Sequence, residues 1–263
     1  MANEGKVREI RSPDNPRFKA FLKLLKPHGI RKQGNALISG SRYVDEVLRD
    51  FPEYCEAVIS CNRHGPAGLT LPEHLESYCI STSLFRELDV YGTDSPMLLV
   101  RVPEIASWRE ELSTHGCTLF VPFQDPTNIG AVVRSAAAFG VQRVVLLEEA
   151  AHPFHPRSVR AAGSTLFRVR MERGPSIEAL KAVDLPLVAL STQGREIFGY
   201  RFPARFGLVV GLEGLGLPEE RGRWEAVSIP MEAGVESLNA AVAAGIALYS
   251  WKEQLKSEVD EHP

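Results

Sequence analysis

Thr118-Leu-Phe-Val-Pro-Phe-Gln-Asp-Pro-Thr-Asn-Ile-Gly-Ala-Val-Val-Arg-Ser-Ala-Ala-Ala-Phe-Gly140 joins two hydrophobic periods in one stretch. Residues 118–123 form a near-continuous apolar run, the pattern of a strand buried on both faces. A proline-containing turn follows. Residues 128–139 then read as a helix stopped by Gly140, which suits the left-handed turn after a helix end. A buried strand feeding a helix is the repeating unit of a parallel α/β sheet.

The same alternation continues toward the C-terminus. Apolar runs at 143–147, 187–190 and 207–210, with a shorter one at 227–229, predict further buried strands, and helical segments lie between several of them. A last helix is expected from Ser237 to about residue 255, rich in small residues such as Ala240, Ala244 and Gly245. Upstream, helices are predicted at 18–25, 43–48 and 84–88, and strands at 36–39, 57–60 and 96–102. The chain therefore divides into a small α/β domain at 1–105, a polar linker at 106–116, and a larger parallel-sheet domain at 117–263.

Composition sets the class. The 263 residues are 44% hydrophobic and 24% charged, as in an ordinary globular protein with a sizeable core. Cys55, Cys61, Cys79 and Cys117 form no Cys-x-x-Cys pair and no histidine cluster lies at ligand spacing, so reduced thiols are expected and no metal. No apolar run is long enough for a membrane span and no secretory signal is visible, which predicts a cytoplasmic protein. The net charge of −3 hides an asymmetry: residues 1–42 hold ten Lys or Arg against three acids, a local +7. A basic patch can bind a polyanion even on an acidic chain, although a bare charge run equally describes a solvated face.

Three segments could carry chemistry. In the first, Asn128 is expected at a helix N-cap with Arg134 about 9 Å along the axis. A helix start with a nearby guanidinium suits a phosphate or polar ligand. The second is Gly211-Leu-Glu-Gly-Leu-Gly216, where glycines around Glu213 permit close backbone approach to a ligand. Its spacing fits neither a dinucleotide fingerprint nor a triphosphate loop. The third is Ile229-Pro-Met followed by Ser237-Leu-Asn239, with Ser237 expected as N-cap of the last helix and Asn239 in its first turn. Taken singly, each also fits a capped core helix or a tight turn.

Taken together, the three segments resemble, in order and content, the motifs of the SpoU (TrmH-type) RNA methyltransferases, over about residues 117–255. More loosely, Ser12-Pro-Asp-Asn-Pro-Arg-Phe-Lys and Ile38-Ser-Gly-Ser-Arg resemble the RNA-binding domain that often precedes that catalytic domain. Two departures are visible: Ser39 stands where the family usually has an acid, and Ala240-Ala241 follow Asn239 where it often has Val-Ser.

The resemblance implies a SPOUT-type parallel sheet with a deep trefoil knot, a homodimer, and S-adenosylmethionine held by backbone at Gly211, Ile229 and Leu238. The implied reaction is methyl transfer to a ribose 2′-hydroxyl, most naturally of ribosomal RNA. Transfer RNA, a self-protective modification of ribosomal RNA, and a retired RNA-binding module are the alternatives. Arg134 matches the arginine proposed to assist the step, as a base or as a phosphate holder. Asn128, Glu213, Ser237 and Asn239 match the polar positions around it. Arg17, Lys19, Lys23, Arg31 and Lys32 then become a candidate RNA clamp. A second basic cluster at Arg157, Arg160, Arg168, Arg170 and Arg173, broken by Glu172, extends it.

Overall fold

The structure is a computed structural model that describes residues 7–61, 71–72, 74–112, 114–212, 216–218 and 224–260. It resolves into two compact units, one of residues 1–104 with 152–167, the other of 105–151 with 168–263.

The first unit contains β1 (Arg8–Ile10), α1 (Pro16–Lys23), α2 (Pro27–Gln33), β2 (Asn35–Ile38), α3 (Ser41–Asp50), β3 (Cys55–Ser60), β4 (Glu76–Ile80), α4 (Thr82–Leu88) and β5 (Met97–Arg101). Its five strands form one mixed sheet in the order β1-β4-β3-β5-β2. α1 starts where Asn15 caps the backbone N–H groups of Arg17 and Phe18, and it buries Phe18 and Phe21 against the sheet cluster of Ile59, Tyr78 and Leu99. α2 crosses so close that a Cβ at Gly29 would lie 1.9 Å from the Lys23 carbonyl oxygen, so only glycine is accommodated there. Periodicity missed β1, α2 and β4, each short or rich in polar residues.

The second unit begins with β6 (Gly116–Val121), α5 (Pro126–Phe139) and β7 (Arg143–Leu146). Asp125, not Asn128, caps α5 by accepting from the Thr127 N–H at 2.9 Å, and Pro126 occupies the first turn. Gly140 ends it at φ 77°. After β7 the chain contributes α6 (Pro156–Ala162) to the first unit, then returns for β8 (Arg170–Arg173), β9 (Leu187–Glu196), β10 (Arg205–Val210), β11 (Glu225–Ser228) and α7 (Ala240–Asp260). The six strands lie in the order β11-β9-β10-β6-β7-β8, every neighbouring pair parallel.

Residues 152–167 depart from the expected division of the chain. This segment was expected within one continuous domain from 117 onward, yet it packs with the N-terminal unit. Phe154 is fully buried and meets Phe167 edge-on, Phe167 stacks on Phe51, and the Ser164 hydroxyl donates to Glu46 at 2.6 Å. Residues 106–116, expected as a linker, belong to the second unit: Trp108 and Arg173 share a backbone hydrogen bond of 2.8 Å.

β8 also corrects the basic cluster. Arg157 and Arg160 sit in the first unit, whereas Arg168, Arg170 and Arg173 sit in the second. Glu172, taken as an interruption, is 1% exposed and accepts from Arg143 Nε at 2.9 Å and Nη2 at 2.6 Å. Arg170 pairs with its other oxygen at 3.0 Å. A buried ion pair offsets its own desolvation only while both partners remain. Glu172→Ala is therefore expected to lower stability by about 3–5 kcal/mol in urea unfolding, because it strands the Arg143 charge, while the double change Arg143→Met with Glu172→Leu costs far less.

Candidate functional site

In an open parallel sheet, ligands settle at the carboxyl ends of the strands, where the strand order reverses. Here β6, β7 and β8 run outward on one side, and β10, β9 and β11 on the other, so the reversal falls between β6 and β10. A cavity of about 500 Å³ opens there. Leu190 to Thr192 line it from the middle of β9, Val210 to Leu212 from the end of β10 and Ile229 from just beyond β11, while Asn128 enters from α5 and Ser237 to Ala240 lead into α7.

The turn after β10 is shaped by glycine. Leu212 and Gly216 exchange backbone hydrogen bonds of 2.7 and 2.8 Å. A Cβ at Gly211 would come within 2.8 Å of the Gly216 carbonyl carbon, and Gly216 itself takes φ 73°. This segment thus presents bare backbone to the cavity, where a side chain would block both the turn and a ligand. Glu213 lies outside the described residues.

Asn239 joins the first and third segments. It, not Ser237, caps α7: its Oδ1 accepts from the Ala241 and Val242 N–H groups at 3.0 and 3.2 Å. Its Nδ2 donates to Asn128 Oδ1 at 3.0 Å. The cap explains why a poor helix former stands at this position. It also leaves Ser237 two residues outside the helix, on the cavity wall. Beyond the cap, Gly245 passes Ser135, and Phe139 meets Tyr249 edge-on at 6.0 Å, so one face of α5 follows α7 along its length.

Arg134 is placed differently. It is exposed on α5, about 120° around the helix axis from Asn128, and the cavity lining among the described residues does not include it. Of the other candidates, Gly211, Ile229, Leu238, Asn128, Ser237 and Asn239 all line the one cavity. Leu190, Ser191, Thr192 and Met231 line it too and were missed. For the first three the sequence shows only that the apolar run 187–190 gives way to two small polar residues, and β9 itself runs on past them to Glu196.

The basic residues divide as well. Arg17 donates to the Tyr78 hydroxyl at 3.1 Å, pairs with Glu76 at 3.6 Å and lies over the Phe21 ring at 5.2 Å, while Lys19 pairs with Asp14 at 2.8 Å. These internal partners fix the heads of Arg17 and Lys19 against neighbouring side chains while leaving both partly exposed. Lys23 lies in the last turn of α1, and Arg31 and Lys32 are exposed in the last turn of α2.

A parallel α/β sheet with one cavity at its reversal point defines a cofactor- or nucleotide-binding class of domain. Known proteins narrow it. Residues 117–249 match the SpoU rRNA methylase family. The chain is 49% identical over 245 residues to the ribosomal RNA small subunit methyltransferase G 2 of Syntrophobacter fumaroxidans, covering 93% of this chain and 49% of that protein, so it spans about half the length of that relative. It is 28% identical over 250 residues to the 23S rRNA (guanosine(2553)-2′-O)-methyltransferase RlmP of Bacillus subtilis, with 92% and 98% covered. The crystal structure of the SpoU methyltransferase AviRb from Streptomyces viridochromogenes in complex with AdoMet superposes with a TM-score of 0.75 at 26% identity, covering 92% of this chain and all of that one. The chain belongs to the SpoU rRNA methylase family.

Asn239→Ala removes both the cap and the link to Asn128. An expected loss of about 1 kcal/mol in thermal unfolding comes from the cap alone. A double-mutant cycle with Asn128→Ala should show coupling of about 0.5 kcal/mol or more, and additive losses would mean that the side-chain link carries no energy.

Proposed function

We propose that the chain is an S-adenosylmethionine-dependent RNA methyltransferase that methylates a ribose 2′-hydroxyl, with ribosomal RNA as its substrate. The observation that carries this reading is the single cavity into which all three motif segments converge. It is supported by the relatives named as rRNA methyltransferases and by the AdoMet complex of AviRb.

The residues present fit the cofactor. A volume of about 500 Å³ is that of a small-molecule site, with apolar walls from Ile229, Leu238 and Met231 and bare backbone at Gly211. When bound, S-adenosylmethionine supplies an electrophilic methyl group on a positively charged sulfur. An alcohol is a weak nucleophile, so the ribose hydroxyl that would receive the methyl group must give up its proton to water or a neighbouring group. In this chain the Asn128–Asn239 pair holds polar groups rigidly at the cavity mouth, where Ser237 adds a hydroxyl. Arg134, an exposed guanidinium off the cavity wall, fits the holding of a phosphate beside the target ribose better than the taking of a proton, since guanidinium stays charged. Glu213 keeps only the role implied by resemblance.

Three further parts belong to the same reading. The trefoil knot is consistent with the order in which β10 and β11 are laid either side of β9. A homodimer is supported by α7, which exposes Val242, Ile246 and Tyr249 at helical i, i+4, i+7 spacing. A cytoplasmic location follows from an RNA substrate, and no described helix is long and apolar enough to cross a membrane.

The test is incubation of the protein with ribosomal RNA and methyl-labelled S-adenosylmethionine, with 2′-O-methyl sites mapped by resistance to alkaline cleavage. Label is expected at a ribose, whereas no cofactor binding by calorimetry at millimolar concentration overturns the reading. Arg134→Ala should abolish transfer and leave cofactor affinity within a few fold, and full activity in that variant would remove its assigned role. Tyr249→Glu should shift the protein toward monomer in sedimentation.

A further inference from the structure

β9 does not stop at the cavity. Leu190 to Thr192 line it, and the strand then runs on through Arg195 to Glu196. Its outer half pairs with β11, where Val227 stands opposite Arg195, and Gly194 passes so close that a Cβ there would lie 2.5 Å from the Ala226 carbonyl oxygen. The turn that follows, Ile197-Phe198-Gly199-Tyr200, is fastened at both ends. The Ile197 N–H donates to the Ser228 carbonyl at 2.8 Å, the Tyr200 N–H to the Ile197 carbonyl at 3.1 Å, and the Tyr200 hydroxyl to Glu225 at 2.8 Å. Two residues on, Gln254 of α7 holds the Phe202 backbone twice, accepting from its N–H at 2.7 Å and donating to its carbonyl at 3.0 Å.

Phe198 sits in this turn with 90% of its surface exposed, whereas Ile197, Tyr200 and Phe202 beside it are buried. A ring held out on anchored backbone loses little further freedom when it is covered. The exposed side chains that flank it along the chain are polar or charged: Thr192, Gln193, Arg195, Glu196 and Arg201. Arg195 lies over the Tyr200 ring at 5.9 Å, which places its guanidinium at the foot of the turn. No other large hydrophobic side chain between residues 191 and 202 is exposed. One ring among charges is far smaller than the roughly 800 Å² per partner of a stable protein interface, yet it matches the face of one nucleobase.

We infer that Phe198 is a stacking platform for an unpaired base of the RNA substrate, with Arg195 and Arg201 holding neighbouring phosphates. Every base has a π-face, so stacking holds an unpaired nucleotide without selecting its identity, and a base locked inside a duplex is not available to it. Thr192 at the cavity and Phe198 are six residues apart, at most about 20 Å of extended chain. The captured base therefore lies within a few nucleotides of the ribose at the cavity. This rests on the RNA-methyltransferase reading above and deepens it: the substrate presents its target in an unpaired stretch, and the second unit itself holds that stretch.

The test compares binding of the whole protein to a fluorescently labelled RNA hairpin with an unpaired loop and to a fully paired RNA of the same length. Phe198→Ala should weaken hairpin binding by about 5- to 100-fold. The slope of log affinity against log salt should stay the same, because the ring carries no charge. Phe198→Trp should keep the affinity, and Phe198→Leu should lose most of it. Arg195→Gln with Arg201→Gln should flatten the slope by about 1.4, at about 0.7 for each phosphate contact on a single strand. Thermal unfolding should be unchanged in all of these variants, since the side chains are exposed. Full hairpin affinity in Phe198→Ala overturns the proposal. So do equal affinities of the Phe198→Leu and Phe198→Trp variants, an equal loss on both RNAs, or an unchanged slope in the double arginine variant. A shift of Phe198→Ala toward smaller species in sedimentation overturns it as well, since the ring would then belong to an interface between copies. S-adenosylmethionine affinity on the same samples keeps the two readings apart. RNA binding with these losses but no cofactor binding retains the platform and removes the methyltransferase, while cofactor binding with no response to Phe198→Ala removes the platform alone.

Discussion

The candidate site depends on β10 lying between β6 and β9. This strand is paired in parallel on both edges and carries Phe206, Leu208 and Val209 with no exposed surface. Burial on both faces and pairing on both edges leave it no freedom of register, since a one-residue slip would exchange every side chain between the faces. Gly211 and Leu212 consequently emerge at the middle of the sheet, beside the middle of β9 and the end of β11. From there the chain reaches α7, whose first turn is tied to that of α5 by the Asn239–Asn128 hydrogen bond. Three short segments separated by tens of residues become one cavity because a single strand is locked in the centre.

Charge is handled in two ways. In the second unit, Arg143 and Glu172 are taken out of water together and tie the edge strand β8 to β7, a structural use of charge. In the first unit, Arg17 and Lys19 pair with neighbouring acids near the surface, and Arg160 lies over the Tyr91 ring. Counting basic residues along the chain cannot separate these uses, because the difference lies in where the carboxylates sit. Among the described residues, the cavity is lined by amides, hydroxyls, backbone and apolar side chains.

Much of the second unit was legible because its strands are buried on both faces and read as apolar runs, and because α5 carries a clear stop at Gly140. β8 was not, since Arg-Met-Glu-Arg looks polar until Glu172 is seen to be buried by its partner on β7. The caps were misplaced at both helices of the site for one reason. Asn, Asp and Ser are all capable caps, and Asp125 lies three residues before Asn128 while Asn239 lies two after Ser237. Backbone conformation, not residue type, selects among them. The membership of 152–167 was equally hidden, because Phe154 and Phe167 find their aromatic partners in a unit that begins over a hundred residues earlier.

The sequence by itself determined the α/β class, the identity of the three segments and the residue types available to the cavity, because periodicity and composition are local properties. Only the tertiary structure decided that six of the expected residues line one cavity, that Arg134 stands off its wall, and that α6 belongs with the N-terminal sheet. Those outcomes turn on strand order, helix rotation and side-chain pairing between distant segments, which depend on contacts that no local pattern encodes.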